Sequence, residues 1–255
     1  MTAYVLYDNV FNQAGATLTY SHEVDSSGPY AHDMLLYDRW IHGQSAGFPY
    51  IELTLTASTE IDTWAIFGHN FGTNGTQISI QYWDVPGSVW FNADTLTPTN
   101  DSPIFRRFNP VSNTRFRILV STPDATDEIY HVAVGKGLQL KPLNAGFKPP
   151  MFEQFKPKNS VNRQGVLLGR SVSKVSRSLS IKQNAITTSE LYSDFKGWLD
   201  HAAKYPFMFC WDYENYPGDS VFCWLDATAP EPVYSNLCHL SIDMKVEAMR
   251  WDSVP

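Results

Sequence analysis

Alternation of apolar and polar residues dominates the chain and predicts β-strands in both halves. In the first half this alternation covers residues 50–55, 77–83 and 114–120. Residues 61–68 are instead almost continuously apolar, which indicates a strand that is central or buried on both faces. Clusters of Gly, Asn and Pro separate these short segments. Such spacing is typical of a β-sandwich or jelly roll.

The second half combines alternating strands with one helix. Residues 172–182 and residues 239–249 alternate between apolar and polar positions. In residues 239–249 every inward position is apolar. Thr187 and Glu190 have the spacing of a capping box, which predicts a helix over residues 188–204. The sequence therefore predicts a mainly β protein: an N-terminal jelly-roll β-sandwich, then an α+β domain with one main helix packed on antiparallel sheet.

A basic connector separates the two patterns. We expect a first domain at residues 1–141, a connector rich in Pro and Lys at 142–159, and a second domain at 160–255. Ten of the 19 Lys and Arg residues lie between Gly135 and Lys182, where Glu153 is the only acid. Such a cluster is usually a solvated face, but it can also dock an acidic partner. The docking hypothesis assigns interface roles to Lys148, Lys156, Lys158, Arg163, Arg170, Lys174 and Arg177.

Composition narrows the class of protein. Aromatic residues make up 14% of the chain, which suits β-sandwiches and large protein contacts. The net charge of −7 argues against nucleic-acid specificity. The three Cys, an odd number, and an N-terminus without signal-peptide features predict synthesis in a reducing cytoplasm. No apolar run reaches the roughly 18 residues of a membrane span, so we expect no membrane insertion.

The sequence contains no catalytic motif that points to an enzyme. His22, Glu23 and Asp25, with nearby histidines, form the only local cluster; ordinary loop residues are the favoured interpretation, a metal or general-base site the alternative. Cys210 and Cys223 fit small core residues better than nucleophiles. A glycosidase would need two carboxylates about 5 to 9 Å apart, and no such pair stands out. We expect no enzymatic activity, cofactor or metal.

A loop between residues 20 and 47 carries the candidate binding residues. It combines aromatic faces with hydrogen-bonding groups, as sugar recognition requires. A contact with a neighbouring subunit is the alternative. The candidate residues are Tyr30, His32, Tyr37, Arg39, Trp40 and His42.

The first half resembles the galactose-binding-like (discoidin, coagulation factor 5/8 C-type) jelly roll, over roughly residues 1–141. The resemblance lies in five segments, the second of which ends in Gly-His-Asn as in phage tail domains: 50–53, 64–70, 78–82, 115–118 and 134–140. It implies a fold that binds carbohydrates or lipid heads through loops at one end, or that serves as a structural module.

The second half is similar to the tail-tube-like fold of siphophage tail and baseplate proteins, including distal tail proteins. This resemblance lies in residues 162–171, the capped helix and residues 205–212. In those proteins the ring-forming domain usually precedes the jelly roll, whereas here it follows. The resemblance implies a non-enzymatic virion protein that forms a homo-oligomeric ring in the tail and docks tail-tube, hub and tape-measure proteins. The alternative is a carbohydrate-binding module or adhesin that recognises a host surface glycan.

Overall fold

The computed structural model describes residues 2–42, 47–121, 127–144, 146–150, 154–175, 177–226 and 230–251. The chain is mainly β, with antiparallel sheets and short helices, in agreement with the predicted fold class. The strands are β1 Tyr4–Leu6, β2 Thr17–Tyr20, β3 Trp40–Ile41, β4 Tyr50–His69, β5 Gln77–Asp84, β6 Val89–Leu96, β7 Ile104–Ser121, β8 Glu128–Gly135, β9 Leu138–Gln139, β10 Gln154–Val161, β11 Leu167–Val175, β12 Arg177–Ile186, β13 Phe207–Cys210, β14 Val221–Leu225, β15 Val233–Tyr234 and β16 Leu240–Met249.

The helical segments are short, and the predicted helix is the longest of them when its parts are taken together. Its capping box between Thr187 and Glu190 is present, which confirms the predicted start. A π-helical segment interrupts its middle, and it ends at Ala202, two residues before the predicted end. The helices are α1 Phe71–Asn74, α2 Thr188–Glu190, the π-helix Leu191–Phe195, α3 Lys196–Ala202, and the 3-10 turns Val10–Asn12, Gly28–Ala31 and Pro217–Asp219.

The first sheet has seven strands in the order β3-β8-β4-β7-β5-β6, with β2 also paired to β4. Strands β4 and β7 are long and pair with each other along most of their length, with register shifts between Thr54 and Thr59 and between Ile61 and Thr63. Bulges bend strands. The sheet therefore folds over itself: an outer half contains β2, β5 and β6, and an inner half contains β3 and β8.

Apolar side chains from both halves of this folded sheet form one core. Ile51 and Leu53 come from the first part of β4, and Trp64 and Ile66 from its second part. All four are fully buried. This is the sandwich core that the alternating pattern predicts.

The second sheet also has seven strands, in the order β12-β16-β14-β13-β1-β9, with β15 added to β16. Its strand β1 comes from the very start of the chain and pairs with both β13 and β9. Residues 4–6 and 138–139, which the sequence pattern assigns to the first domain, thus belong to the second sheet. Phe195, Trp198 and Leu199 from the helix cover the outer face of this sheet.

A third core joins the two sheets. Ala65 and Phe67 of β4 meet Met208 and Phe222 of the second sheet in one buried cluster. Every residue of β4 from Ile61 to His69 is buried, which confirms the prediction of a strand buried on both faces. The molecule therefore stacks outer half-sheet, inner half-sheet, second sheet and helix.

Strands β10 and β11 form a hairpin of residues 154–175, called the arm from here on. Its strands pair only with each other among the residues that the structure describes. The described side chains from Lys156 to Val172 are all exposed except the half-buried Asn162. At the turn, the Asn162 carboxamide oxygen accepts from the backbone N–H of Gln164 and of Val166, both at 2.9 Å. The arm begins at Gln154, inside the predicted connector of residues 142–159.

No helix within the described ranges combines the length and the apolar character needed to cross a membrane.

Two buried histidines, His69 and His131, should make folding sensitive to acid. Burial lowers the pKa of His131 to about 3 and that of His69 to about 4. Both stay neutral in the folded protein, whereas the unfolded chain takes up protons on them below about pH 6.5. The free energy of unfolding therefore falls as the pH decreases from about 6.5 towards the lowered values. We expect a loss of about 2 kcal/mol per histidine between pH 7 and pH 5, measured by urea denaturation.

His131→Leu should remove roughly half of this pH dependence. His22, which is exposed, provides the control: His22→Asn should leave the difference between pH 7 and pH 5 unchanged. An unaltered pH dependence in His131→Leu would show that His131 is not the source.

Candidate functional site

Two of the six predicted loop residues lie in the core and cannot reach a ligand. Trp40, in β3, is fully buried and belongs to the core of the folded sheet. His42 is fully buried too, with its Nε2 2.8 Å from a carboxylate oxygen of Asp127. Asp127 also accepts hydrogen bonds from Asn74 and Thr76, at 2.7 and 2.9 Å. The ligand role predicted for Trp40 and His42 is therefore corrected to a structural one.

His32 and Arg39 are held by neighbouring side chains. The His32 ring is parallel to the Tyr20 ring, and its Nε2 lies 2.7 Å from the Tyr20 hydroxyl. Burial raises the pKa of that hydroxyl to about 12 and lowers the pKa of His32. Arg39 donates to the Tyr130 hydroxyl at 3.0 Å and pairs with Glu128 at 3.1 Å. These contacts fix the loop to the sandwich.

Only Tyr30 and Tyr37 of the six present exposed rings. Tyr30 is 39% exposed and Tyr37 is 74% exposed. The structure thus does not gather the six residues into one open surface. The sequence signal was the mixture of residue types, which does not distinguish a buried Trp from an accessible one.

The predicted interface residues fall on the arm and at its base. Lys156, Lys158, Arg163 and Arg170 are exposed on the arm. The Lys174 side chain lies outside the described side chains, although its backbone belongs to β11.

At the base of the arm, a basic cleft of about 510 Å³ lies between the connector and the edge strand β12. Lys148, Arg177, Lys182 and Lys245 line it. Asp243 pairs with Lys182 at 3.2 Å. Lys245 was not anticipated because it lies on β16, distant in sequence from the other three cations.

A second surface, not anticipated from the sequence, lies on the solvent face of the outer half-sheet. Trp83 of β5 and Trp90 of β6 face each other across the strands, with ring centroids 5.2 Å apart. Arg115 and Arg117 of β7 lie against them. The Arg117 guanidinium is 4.3 Å from the Trp90 ring centroid, and Arg115 is 4.7 Å from that of Trp83. We call this surface, together with Tyr50, Glu52, Gln81 and Asn92, the aromatic–arginine face.

Hydrogen bonds connect this face across four strands. Glu52, Arg117, Gln81 and Asn92 are cross-strand neighbours in register. Arg117 Nε donates to the Gln81 carboxamide oxygen at 2.6 Å, and the Gln81 amide donates to Asn92 at 2.6 Å. Arg115 donates to Glu52 at 2.6 Å. The row holds both arginines against the aromatic rings, where cation–π attraction adds to the hydrogen bonds.

Two of the three cysteines lie in the core, whereas Cys238 is exposed. Cys210 and Cys223 are buried, and burial raises the pKa of Cys210 to about 12. This confirms the prediction of small core residues. Within the described ranges, no group of three or more His, Cys, Asp or Glu is placed to hold a metal ion.

Comparison with known proteins gives distant likenesses only. No family model and no curated protein matches the chain. Among solved structures, a pectin-binding carbohydrate-binding module is 17% identical, with a TM-score of 0.38 over 46% of this chain and 88% of its own. An F5/8 type C domain from Bacteroides fragilis is 18% identical, with a TM-score of 0.40 over 47% and 90%. Chitosan-binding module 1 from Paenibacillus sp. IK-5 is 16% identical, with a TM-score of 0.39 over 49% and 97%.

These neighbours include the F5/8 type C kind of domain that residues 1–141 resemble in sequence. None of these three neighbours is a phage tail protein. Identities of 16–18% and TM-scores up to 0.40 assign neither a ligand nor a role to this chain.

Trp40→Ala tests the structural role of the buried loop residue. Removing a fully buried indole leaves a cavity and should lower the free energy of unfolding by about 3 to 5 kcal/mol, measured by urea denaturation. Tyr37→Ala, at an exposed aromatic in the same loop, should change it by less than about 0.5 kcal/mol. Equal effects of the two changes would contradict the placement of Trp40 in the core.

Proposed function

We propose that this protein is a non-enzymatic structural subunit that assembles with copies of itself into a ring, as part of a bacteriophage tail tip or baseplate. One observation carries the proposal: among the residues that the structure describes, the strands of the arm pair only with each other, and the arm exposes an apolar and basic surface.

The arm has the properties of an element that is completed by a partner. An isolated two-stranded hairpin is at best marginally stable in water. With eight paired residues in β10 the arm is about 26 Å long. Val161, Leu167 and Leu168 are more than half exposed on it. Burying such a side chain completely stabilises a complex by about 1.5 to 3 kcal/mol.

Charge favours a second copy of this chain as the partner. The arm holds five Lys and Arg and no acid. The rest of the chain holds the other 14 Lys and Arg with all 26 Asp and Glu, so its formal charge is −12 against +5 on the arm. Opposite charges of this size steer two copies towards each other.

A groove beside the helix offers an acceptor on the second copy. It has a volume of about 440 Å³ and is lined by the apolar parts of Tyr192, Leu199 and Tyr234 among other residues. Lys196 and Asp200, which form an ion pair, also line it, and the exposed Glu231 lies between two of its prolines. The arm of one subunit would place its apolar tip in this groove and its cations near Glu231. Because donor and acceptor surfaces differ, the contact repeats head to tail and can close into a ring.

The resemblance of residues 160–255 to tail-tube-like proteins supports a location of this ring in a virion tail. Tail-tube, hub and tape-measure proteins would then contact the ring. The folded first sheet faces outward and docks further components.

Light scattering of the purified protein over a range of concentrations tests self-assembly. We expect an oligomer whose mass is a whole multiple of 28.9 kDa and whose population increases with protein concentration. Replacing residues 154–175 by a short Gly-Ser linker removes the arm and should leave a monomer. The rest of the chain should still fold, because Gln154 and Val175 are paired neighbours and a short linker can span the gap between them.

Charge reversal at Lys156, Lys158 and Arg163 should weaken the oligomer by at least tenfold in dissociation constant, whereas Lys204→Glu on the body should not. A protein that stays monomeric at all concentrations would refute self-assembly. An oligomer that persists after removal of the arm would refute the role of the arm but not self-assembly.

Carbohydrate binding is the second candidate function, and the aromatic–arginine face favours it. Half-buried indoles beside guanidinium and amide groups provide both ring surface and planar hydrogen-bonding partners. Sugar recognition uses these two chemistries together. A subunit with this surface would attach to a host surface glycan while the arm holds the assembly.

A glycan array with the whole protein tests the second candidate. We expect binding that Trp90→Ala reduces at least tenfold while Tyr205→Ala, at an exposed aromatic after the helix, leaves it unchanged. Circular dichroism should show that both variants remain folded. Absence of binding to every glycan on the array would reject this candidate without affecting the assembly proposal.

A further inference from the structure

The aromatic–arginine face carries more positive than negative charge. It contains two guanidinium groups, of Arg115 and Arg117, and one carboxylate, of Glu52. The hydrogen bond of that carboxylate goes to Arg115. Arg117 bonds instead to the neutral carboxamide of Gln81. One positive charge on this face is therefore left without a directly bonded acid among the described residues.

The position of Arg117 makes this charge available to a ligand. Its Nε is used by Gln81, while its two terminal nitrogens have no hydrogen-bond partner within the described part of the chain. Burial lowers the pKa of Arg117, so the side chain is partly desolvated although it remains a cation. The guanidinium lies between the Trp90 ring at 4.3 Å and the Tyr50 ring at 5.6 Å.

We propose that the aromatic–arginine face binds an acidic saccharide, with the sugar carboxylate paired to the terminal nitrogens of Arg117. The guanidinium plane accepts a carboxylate through two parallel N–H···O bonds. This inference rests on the carbohydrate-binding proposal above and adds the chemical class of the sugar.

The neighbouring groups fit the rest of such a ligand. Asn92 extends the hydrogen-bonded row beyond Gln81 towards β6 and is exposed. Trp83 and Trp90 are half-buried, so part of each indole is accessible to a sugar ring. All these groups project from adjacent strands of one sheet face, an open surface along which a chain of several sugar units can lie.

The ligand is expected to be a saccharide and not a simple anion. A small inorganic anion would use Arg117 alone and would gain nothing from the indoles or from Asn92. A sugar acid engages the guanidinium, the amide and the aromatic surface together. Its affinity should therefore depend on both the carboxylate and the aromatic rings.

The test uses the whole protein and an array of uronate-containing, sialylated and neutral oligosaccharides, followed by titration of the best binders. Each acidic binder is compared with its carboxyl-reduced counterpart, which differs only by a hydroxymethyl group. We expect carboxyl reduction to weaken binding at least tenfold. Arg117→Gln should give a similar loss, and Arg117→Lys, which keeps the charge but not the planar fork, an intermediate one.

Lys204→Gln, at an exposed cation on the body, is the control and should bind like the wild type. Thermal unfolding identifies any variant that has lost its fold. Equal binding of the acidic and the reduced sugars would overturn the assignment to acidic saccharides and leave carbohydrate binding in place. Binding that Arg117→Gln does not change would overturn this site, and an array without any signal would overturn both proposals.

Discussion

The burial of one strand segment on both of its faces is the constraint on which the rest of the molecule depends. From Ile61 to His69, strand β4 packs inward against the folded first sheet and outward against the second sheet. Asp62, within this segment, is paired with Arg107 at 2.7 Å. An unpaired charge between Trp64 and Phe67 would face apolar side chains, at a cost of several kcal/mol. The two halves of the chain therefore do not behave as modules on a flexible linker. Surfaces at opposite ends, the aromatic–arginine face and the helix, keep a fixed relation.

The chain crosses between these layers more often than its sequence suggests. Strand β1, at residues 4–6, lies inside the second sheet, between β13 and the short edge strand β9. Arg107 extends the link, donating to the Tyr4 hydroxyl and to Asp62, both at 2.7 Å. A fragment that ends near residue 141 would leave β1 and β9 without the rest of their sheet. Binding studies on such a fragment would consequently examine a different molecule.

Local patterns were enough to predict the strands and the helix start, because alternation and capping depend on residues close in sequence. The inward face of β16 and the capping box at Thr187 are examples. Features that depend on which strands are neighbours could not be predicted. The burial of Trp40 is set by packing across the sheet. Arg115 and Arg117 were visible only as the polar positions of a strand, since their aromatic partners Trp83 and Trp90 lie about 25 to 35 residues away.

The place of β1 between β13 and β9 also has a consequence for the order of events during synthesis. Residues 4–6 leave the ribosome before their partners at 208–210, which are added about 200 residues later. At typical elongation rates this interval lasts roughly 10 to 40 s. The other partner strand, β9, is made within this interval, so the apolar segment of β1 first lacks both neighbours and then lacks only β13. The second sheet is therefore completed only after its late strands β13 to β16 have been made.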